Sequence, residues 1–130
     1  MDTIKVTCGL IYDNEKIFIC RRSKNKSLGG FWEFPGGKVE RNENYEECLK
    51  RELLEELEME VDIVKHFKTV EHDYETFRIQ LISFLCKYKI ASYSMNDHDD
   101  YMWVMTEELK KMNLTPADMP IAEALISRGL

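Results

Sequence analysis

The sequence predicts an α+β fold in which a mixed β-sheet is sandwiched between α-helices. Three observations lead there. Apolar runs rich in Val, Ile, Phe and Tyr recur at 3–12, 16–22, 61–71 and 77–88, with polar turn residues between members of each pair. A strongly patterned helix over roughly 44–57 separates the two pairs. A second helix reads from Pro120 to Arg128. Strands before and after a helix, joined mostly as hairpins, call for helices packed on the faces of one sheet.

Taken in order, 3–12 and 16–22 are divided by Asp13-Asn14-Glu15 and read as a β-hairpin. Residues 23–30, SKNKSLGG, are polar and glycine-ended, hence a loop. Phe31 to Phe34 forms a short strand that Pro35 breaks. Asn44 can cap the helix that follows, with Glu47 as its capping-box partner. Leu49, Leu53 and Leu57 share one side of that helix and predict its buried face. The runs at 61–71 and 77–88 pair about a polar turn at 73–76, and 91–100 reads as an exposed acidic loop. Tyr101 to Met105 is a short strand, and Thr106 with Glu107 and Glu108 starts a helical turn. Ile121, Leu125 and Ile126 supply the inner side of the last helix.

At 130 residues the chain is expected to form one domain, 1–130, with a core that needs no staples. A net charge of −6 argues against a nucleic-acid polymer as partner, since that would want a basic face. A small polyphosphate stays compatible if a metal ion supplies positive charge locally. No apolar run approaches the roughly 20 residues of a membrane span, and the start does not read as a secretory leader. Cys8, Cys20, Cys48 and Cys86 form no CxxC pair. Reduced thiols, and with them a cytoplasmic location, are expected.

The most informative stretch is 36–57, GGKVERNENYEECLKRELLEEL. At about 100° per residue, Glu52, Glu55 and Glu56 fall within one arc of the helix, beside the leucine face. The first half of the helix obeys surface rules, with Glu46 placed to meet Lys50 and Glu47 to meet Arg51. The second half does not. Glu52 and Glu56 are a like-charged i,i+4 pair, and no basic residue stands one turn further on. They also approach the negative end of the helix dipole. A solvated acidic face is the plain alternative. The unmatched charges, the glycine loop and the spacing favour a divalent cation, and oxygen-only ligands suit Mg²⁺, Mn²⁺ or Ca²⁺.

The segment resembles the Nudix box, G-x5-E-x7-R-E-U-x-E-E-x-G-U with U a bulky apolar residue. Gly37, Glu43, Arg51, Glu52, Leu53, Glu55 and Glu56 match, with Met59 as the last apolar position. Glu58 stands where the family has glycine. IFICRR (17–22), WEFPGGKVE (32–40), PADMPIAEAL (116–125) and the acidic loop around Asp97 extend the likeness to the MutT branch of nucleoside triphosphate pyrophosphohydrolases.

The resemblance implies a Mg²⁺-dependent enzyme, with Mn²⁺ as a possible substitute, acting on a nucleoside triphosphate as a monomer or homodimer. It implies metal ligands at Gly37 (through its carbonyl), Glu52, Glu55, Glu56 and Asp97. Asp97 is alternatively the base that takes a proton from water. Glu43 and Arg51 are expected to brace loop against helix. Arg22, Phe34, Lys38, Arg78 and Asp118 are expected at the substrate. Asp118 bears on base choice, since a carboxylate accepts hydrogen bonds from the exocyclic amine of cytosine or from the N1 and N2 hydrogens of an oxidised guanine. It also precedes the last helix, where a plain N-cap is the other reading. The expected substrate is therefore a (d)NTP such as 8-oxo-dGTP, or CTP/dCTP. A binding module without turnover is the alternative of a different class.

Overall fold

The computed structural model describes residues 2–129; Met1 and Leu130, the two ends of the expected domain, lie outside them. The described residues form β1 (Asp2–Asp13), β2 (Lys16–Arg22), β3 (Trp32–Glu33), β4 (Gly36–Lys38), α1 (Tyr45–Leu57), β5 (Met59–Asp73), β6 (Phe77–Ala91) and β7 (His98–Met105). A 3-10 turn (Thr106–Lys111) and α2 (Met119–Arg128) follow. The strands make one mixed sheet in the order β3-β2-β1-β6-β5, with β4 on β1 and β7 on β2. β1 and β6 run parallel from Asp2↔Phe77 to Tyr12↔Lys87, so α1 and β5 supply the crossover that such a pairing needs.

Successive residues of a strand point to opposite faces, and the core follows that alternation. Leu10, Ile17, Ile19, Leu81 and Leu85 pack with Ile121, Ala122 and Leu125 of α2. Ile11, Phe18, Cys20, Ile82, Phe84 and Cys86 pack on the other face with Leu49, Leu53 and Leu57 of α1. The helices thus cover opposite faces of the sheet. Full burial of each leucine contributes about 2 kcal/mol. The four cysteines are free and buried. Among the described residues no helix is long and apolar enough to cross a membrane.

α1 begins as its sequence dictates. Asn44 Oδ1 accepts from the Glu47 N–H at 2.8 Å, and Glu47 Oε1 accepts from the Asn44 N–H at 2.9 Å. Glu47 is therefore spent on the cap. Arg51 pairs instead with Glu40, Glu43, Glu52 and Glu55. The helix ends at Glu58, which takes the left-handed conformation (φ 47°) usual for glycine, at a cost of about 1 kcal/mol. Burial of the next side chain, Met59, and acceptance of the Ser92 N–H by the Glu58 carbonyl at 3.3 Å hold the turn in place.

Several boundaries differ from expectation. Gly36–Lys38 is a strand, not a loop, because it pairs with Val6–Cys8 of β1. β5 starts at Met59 and β6 runs to Ala91, since the two pair along nearly their whole lengths. β7 starts at His98, inside the expected acidic loop, because His98 and Asp100 pair with Arg22 and Arg21.

Candidate active site

β1 and β2 pair only beside their turn, at Tyr12↔Ile17 and Asp13↔Lys16. Further along they separate, and the segment 32–38 fills the gap. Its first part, β3, pairs with Cys20 and Arg21 of β2; its second, β4, pairs with β1. Pro35 forms the corner between them, its carbonyl accepting from the Gly9 N–H at 2.8 Å. Glycine is required at 36 because a Cβ there would collide with the backbone of Thr7 and Cys8. The split opens a cavity of about 1050 Å³, and Glu33, Phe34, Gly36, Gly37 and Lys38 lie on its wall.

From the α1 side, Glu52 and Glu56 line this cavity, with side chains only 15% and 12% exposed. Gly37 makes room for Glu52: a Cβ at 37 would land on its carboxylate. Burial, and then the adjacent hydrogen-bonded Glu52, push the Glu56 carboxyl from its ordinary 4.5 up to about 9. A buried carboxylate with a like neighbour resists ionisation unless a cation joins it. Asp97 lines the same cavity and pairs with Lys26 at 3.1 Å.

Arg51 ties this wall together. It donates to Glu43 through Nε (3.0 Å) and Nη2 (2.7 Å), to Glu52 through Nη1 (2.7 Å) and to the Lys38 carbonyl through Nη2 (3.0 Å). Hydrogen bonds from Arg51, then from the Glu40 N–H, pull the Glu43 carboxyl from 4.5 down to about 2. Cys48 Sγ adds weak contacts to the carbonyls of Gly37 (3.5 Å) and Lys38 (3.4 Å).

From the α2 side comes Asp118, 4% exposed. It makes no side-chain cap for α2. Oδ2 instead takes a short hydrogen bond from the Thr115 hydroxyl, and Oδ1 is buried without a partner. Burial, and then the charge of Glu33, push its carboxyl from 3.8 up to about 8. Apolar walls are supplied by Phe34, Phe77, Ile79 and Leu81.

Of the residues named from sequence, Gly37, Glu52, Glu56, Asp97, Arg22, Phe34, Lys38 and Asp118 line this one cavity. Glu43 and Arg51 do not line it but back its wall, Arg51 bonding to Glu43, Glu52 and the Lys38 carbonyl of β4. Two residues lie elsewhere. The Glu55 side chain is 60% exposed and pairs with Arg51 at 3.2 Å, because Arg51 sits one helical turn before it. Arg78 is held outside by Asp73 at 2.6 Å, across the turn that joins β5 and β6. Glu33 and His98 line the cavity and went unread in the sequence. His98 Nε2 lies 2.9 Å from Glu33 Oε2. Their separation of 65 residues left no local spacing to notice; WEFPGG, which contains Glu33, was the nearest signal.

The donor set fits a hard divalent cation. Glu52 and Glu56 offer paired oxygens in a half-buried wall, and the suppressed ionisation of Glu56 is what a cation would reverse. Among the described residues, no three acidic, His or Cys side chains converge as a ready-made metal cage.

A family model described as a NUDIX domain matches residues 6–124. The chain is 35% identical over 114 residues to the 8-oxo-dGTP diphosphatase of Buchnera aphidicola subsp. Schizaphis graminum, covering 87% of this chain and 85% of that protein. It is 30% identical over 127 residues to the CTP pyrophosphohydrolase of Escherichia coli K12, covering 98% and 94%. Among solved structures it is similar to the DNA mismatch repair protein MutT, a Nudix hydrolase of methicillin-resistant Staphylococcus aureus 252. That match has 33% identity, coverage of 99% and 100%, and a TM-score of 0.79. The MutT protein of Methanosarcina mazei Go1 superposes with a TM-score of 0.88 at 25% identity, covering 97% and 94%.

Proposed function

We infer that this chain, which belongs to the Nudix family and is a MutT-like pyrophosphohydrolase, hydrolyses nucleoside triphosphates, 8-oxo-dGTP among them, to the monophosphate and pyrophosphate. Its role would be to clear damaged nucleotides from the precursor pool. The observation that carries this reading is the shared cavity. Glu52 and Glu56 reach it from α1 and the buried Asp118 from the opposite face of the sheet, so phosphates and base can be met in one place.

Nudix hydrolases generally need divalent metals, and we propose Mg²⁺, with Mn²⁺ able to replace it. When bound, the cation neutralises phosphate charge and lowers the pKa of water. Glu52 and Glu56 would hold it, with Asp97 and the Gly37 carbonyl as further oxygen donors. Glu55, on the same arc and tied only at the surface, can join them. Arg22 and Lys38 give the phosphates charge-assisted donors. Water attacks the β-phosphorus, the bond to the α,β-bridging oxygen breaks, and the monophosphate leaves. As the alternative to holding the cation, Asp97 is the proposed acceptor of the water proton. Arg51 and Glu43 keep the loop and helix in register. The substrate pool and the four free thiols support a cytoplasmic location.

A second reading, CTP or dCTP as substrate, is favoured by one observation. Asp118 lines the cavity and keeps one carboxyl oxygen without a partner, a group able to accept from the cytosine amine, and the Escherichia coli relative is named for CTP. The test is kcat/KM for 8-oxo-dGTP, dGTP, CTP and dCTP with Mg²⁺, with products identified by mass. Monophosphate with pyrophosphate is expected. Diphosphate with orthophosphate contradicts the reading, and tight binding without turnover favours a binding module.

A further inference from the structure

We propose that Lys26 is a further phosphate-binding residue, held on Asp97 in the free cavity and released to the substrate once a divalent cation occupies that carboxylate. The inference rests on the reading of Asp97 as an oxygen donor to the cation and adds a residue to it. β2 and β7 run antiparallel and pair as far as Arg22↔His98. The loop that leaves β2 and the residues that enter β7 therefore emerge at the same end of the pair. Lys26, Ser27, Leu28 and Asp97 line the cavity from there. The two segments are joined through their backbones, the Ser23 N–H donating to the Asp97 carbonyl at 3.2 Å. The loop is also closed on itself. The Lys26 N–H donates to the Ser23 carbonyl at 3.0 Å, and Arg22 Nε donates to the Ser27 carbonyl at 2.6 Å. The backbone that carries Lys26 is thus fixed beside Asp97, and its side chain is the part left to move.

Lys26 Nζ stands 3.1 Å from Asp97 Oδ1, and the two side chains are 45% and 47% exposed. Ion pairs so open to water contribute little, so this one is exchanged at small cost. The ammonium gives Asp97 the positive charge that a cation would otherwise bring. With Asp97 on the cation, the two positive charges repel at close range. The ammonium then turns on its flexible stem to the nearest negative charge, the phosphate oxygens of a nucleotide in the same cavity. Among the described residues three cationic side chains line the cavity, Arg22, Lys26 and Lys38. Arg22 is anchored on Ser27 and Glu33. Of the three, Lys26 is the one paired with a carboxylate expected to meet the cation, so its release and the filling of the site are one event.

The test is binding, read by calorimetry, in Lys26→Met, Asp97→Asn and the double variant, with Lys24→Met as control. Lys24 is exposed in the same loop and does not line the cavity. Without nucleotide, Lys26→Met should bind Mn²⁺ about threefold more tightly, because Asp97 is freed, and Asp97→Asn should bind it more weakly. In the Asp97→Asn background the gain from Lys26→Met should vanish. With Mg²⁺, Lys26→Met should bind the α,β-methylene analogues of dGTP and dCTP about tenfold more weakly. Lys24→Met should match the unmodified protein in both measurements. An unchanged Mn²⁺ affinity in Lys26→Met or in Asp97→Asn, a gain that survives Asp97→Asn, or undiminished analogue affinity overturns the proposal. So does a Lys24→Met variant that shows the same two changes, which would make the effect one of general charge. Absence of pyrophosphate release by the unmodified protein would count against the hydrolytic reading alone, because the binding measurements judge Lys26 separately.

Discussion

Arg51 grips Glu43 by two parallel hydrogen bonds, Nε to Oε2 at 3.0 Å and Nη2 to Oε1 at 2.7 Å. The remaining donors of the same planar group reach Glu52 and the Lys38 carbonyl. One side chain therefore sets the distance between β4, with the loop that follows it, and the helix that carries the carboxylates. Lysine has the charge without the fork. Arg51→Lys should lower kcat/KM by about tenfold to a hundredfold and reduce the melting temperature. Steady-state kinetics and a thermal melt check both; unchanged kinetics would make Arg51 a surface charge.

Glu56→Gln should move stability and activity in opposite directions. The folded protein holds the Glu56 proton up to about pH 9, whereas the unfolded chain releases it near 4.5. Folding is therefore progressively disfavoured as pH rises through that window, and glutamine carries no such penalty. In EDTA the variant should melt higher than the unmodified protein, by a margin that grows from pH 5 to pH 8. Mg²⁺ should raise the melting temperature of the unmodified protein and not that of the variant, which should lose most activity. A parallel loss of stability and activity would mark Glu56 as structural.

Asp118→Asn tests the base side by the same logic. The folded-state carboxyl titrates near 8 and the ordinary one near 3.8, so its burial disfavours folding increasingly between those values. The variant should gain thermal stability at pH 7.5 and little at pH 4. The amide fixes one acceptor and one donor where the carboxyl, mostly protonated at pH 7.5, can place its proton on either oxygen or lose it, so the ratio of kcat/KM for CTP against 8-oxo-dGTP should change by about one to two orders of magnitude. An unchanged ratio removes Asp118 from the base pocket.

Glu58→Gly addresses the departure from the box. Glutamate holds φ 47° there, and glycine adopts that region without the Cβ clash. We expect a gain of about 1 kcal/mol, seen as about 3–6 °C in melting temperature, with kcat/KM unchanged. A lower melting temperature would mean that the Glu58 side chain makes contacts worth more than the strain.

What could be read in advance was local chemistry. Asn44 and Glu47 announced the start of α1 because both halves of a capping box lie within one turn. The leucines announced its buried face because helical spacing puts them together. Pairings set by the sheet were out of reach. Gly36–Lys38 has no strand character of its own and is a strand because Val6–Cys8 lies beside it. Glu33 and His98 meet only after β3 and β7 have both docked on β2. Glu55 shows how a local pairing modifies a helical arc. A helical arc places it with Glu52 and Glu56, yet Arg51, one turn back, holds it at the surface. Arg78 had a nearer partner, Asp73, within its own hairpin.

The most direct test is to strip the protein with EDTA, restore Mg²⁺ stepwise, and follow pyrophosphate released from 8-oxo-dGTP and from CTP. The account predicts no release in EDTA, and release that rises and saturates with Mg²⁺ for at least one of the two nucleotides. Release that ignores Mg²⁺, or no pyrophosphate from any nucleoside triphosphate at saturating Mg²⁺, would contradict it.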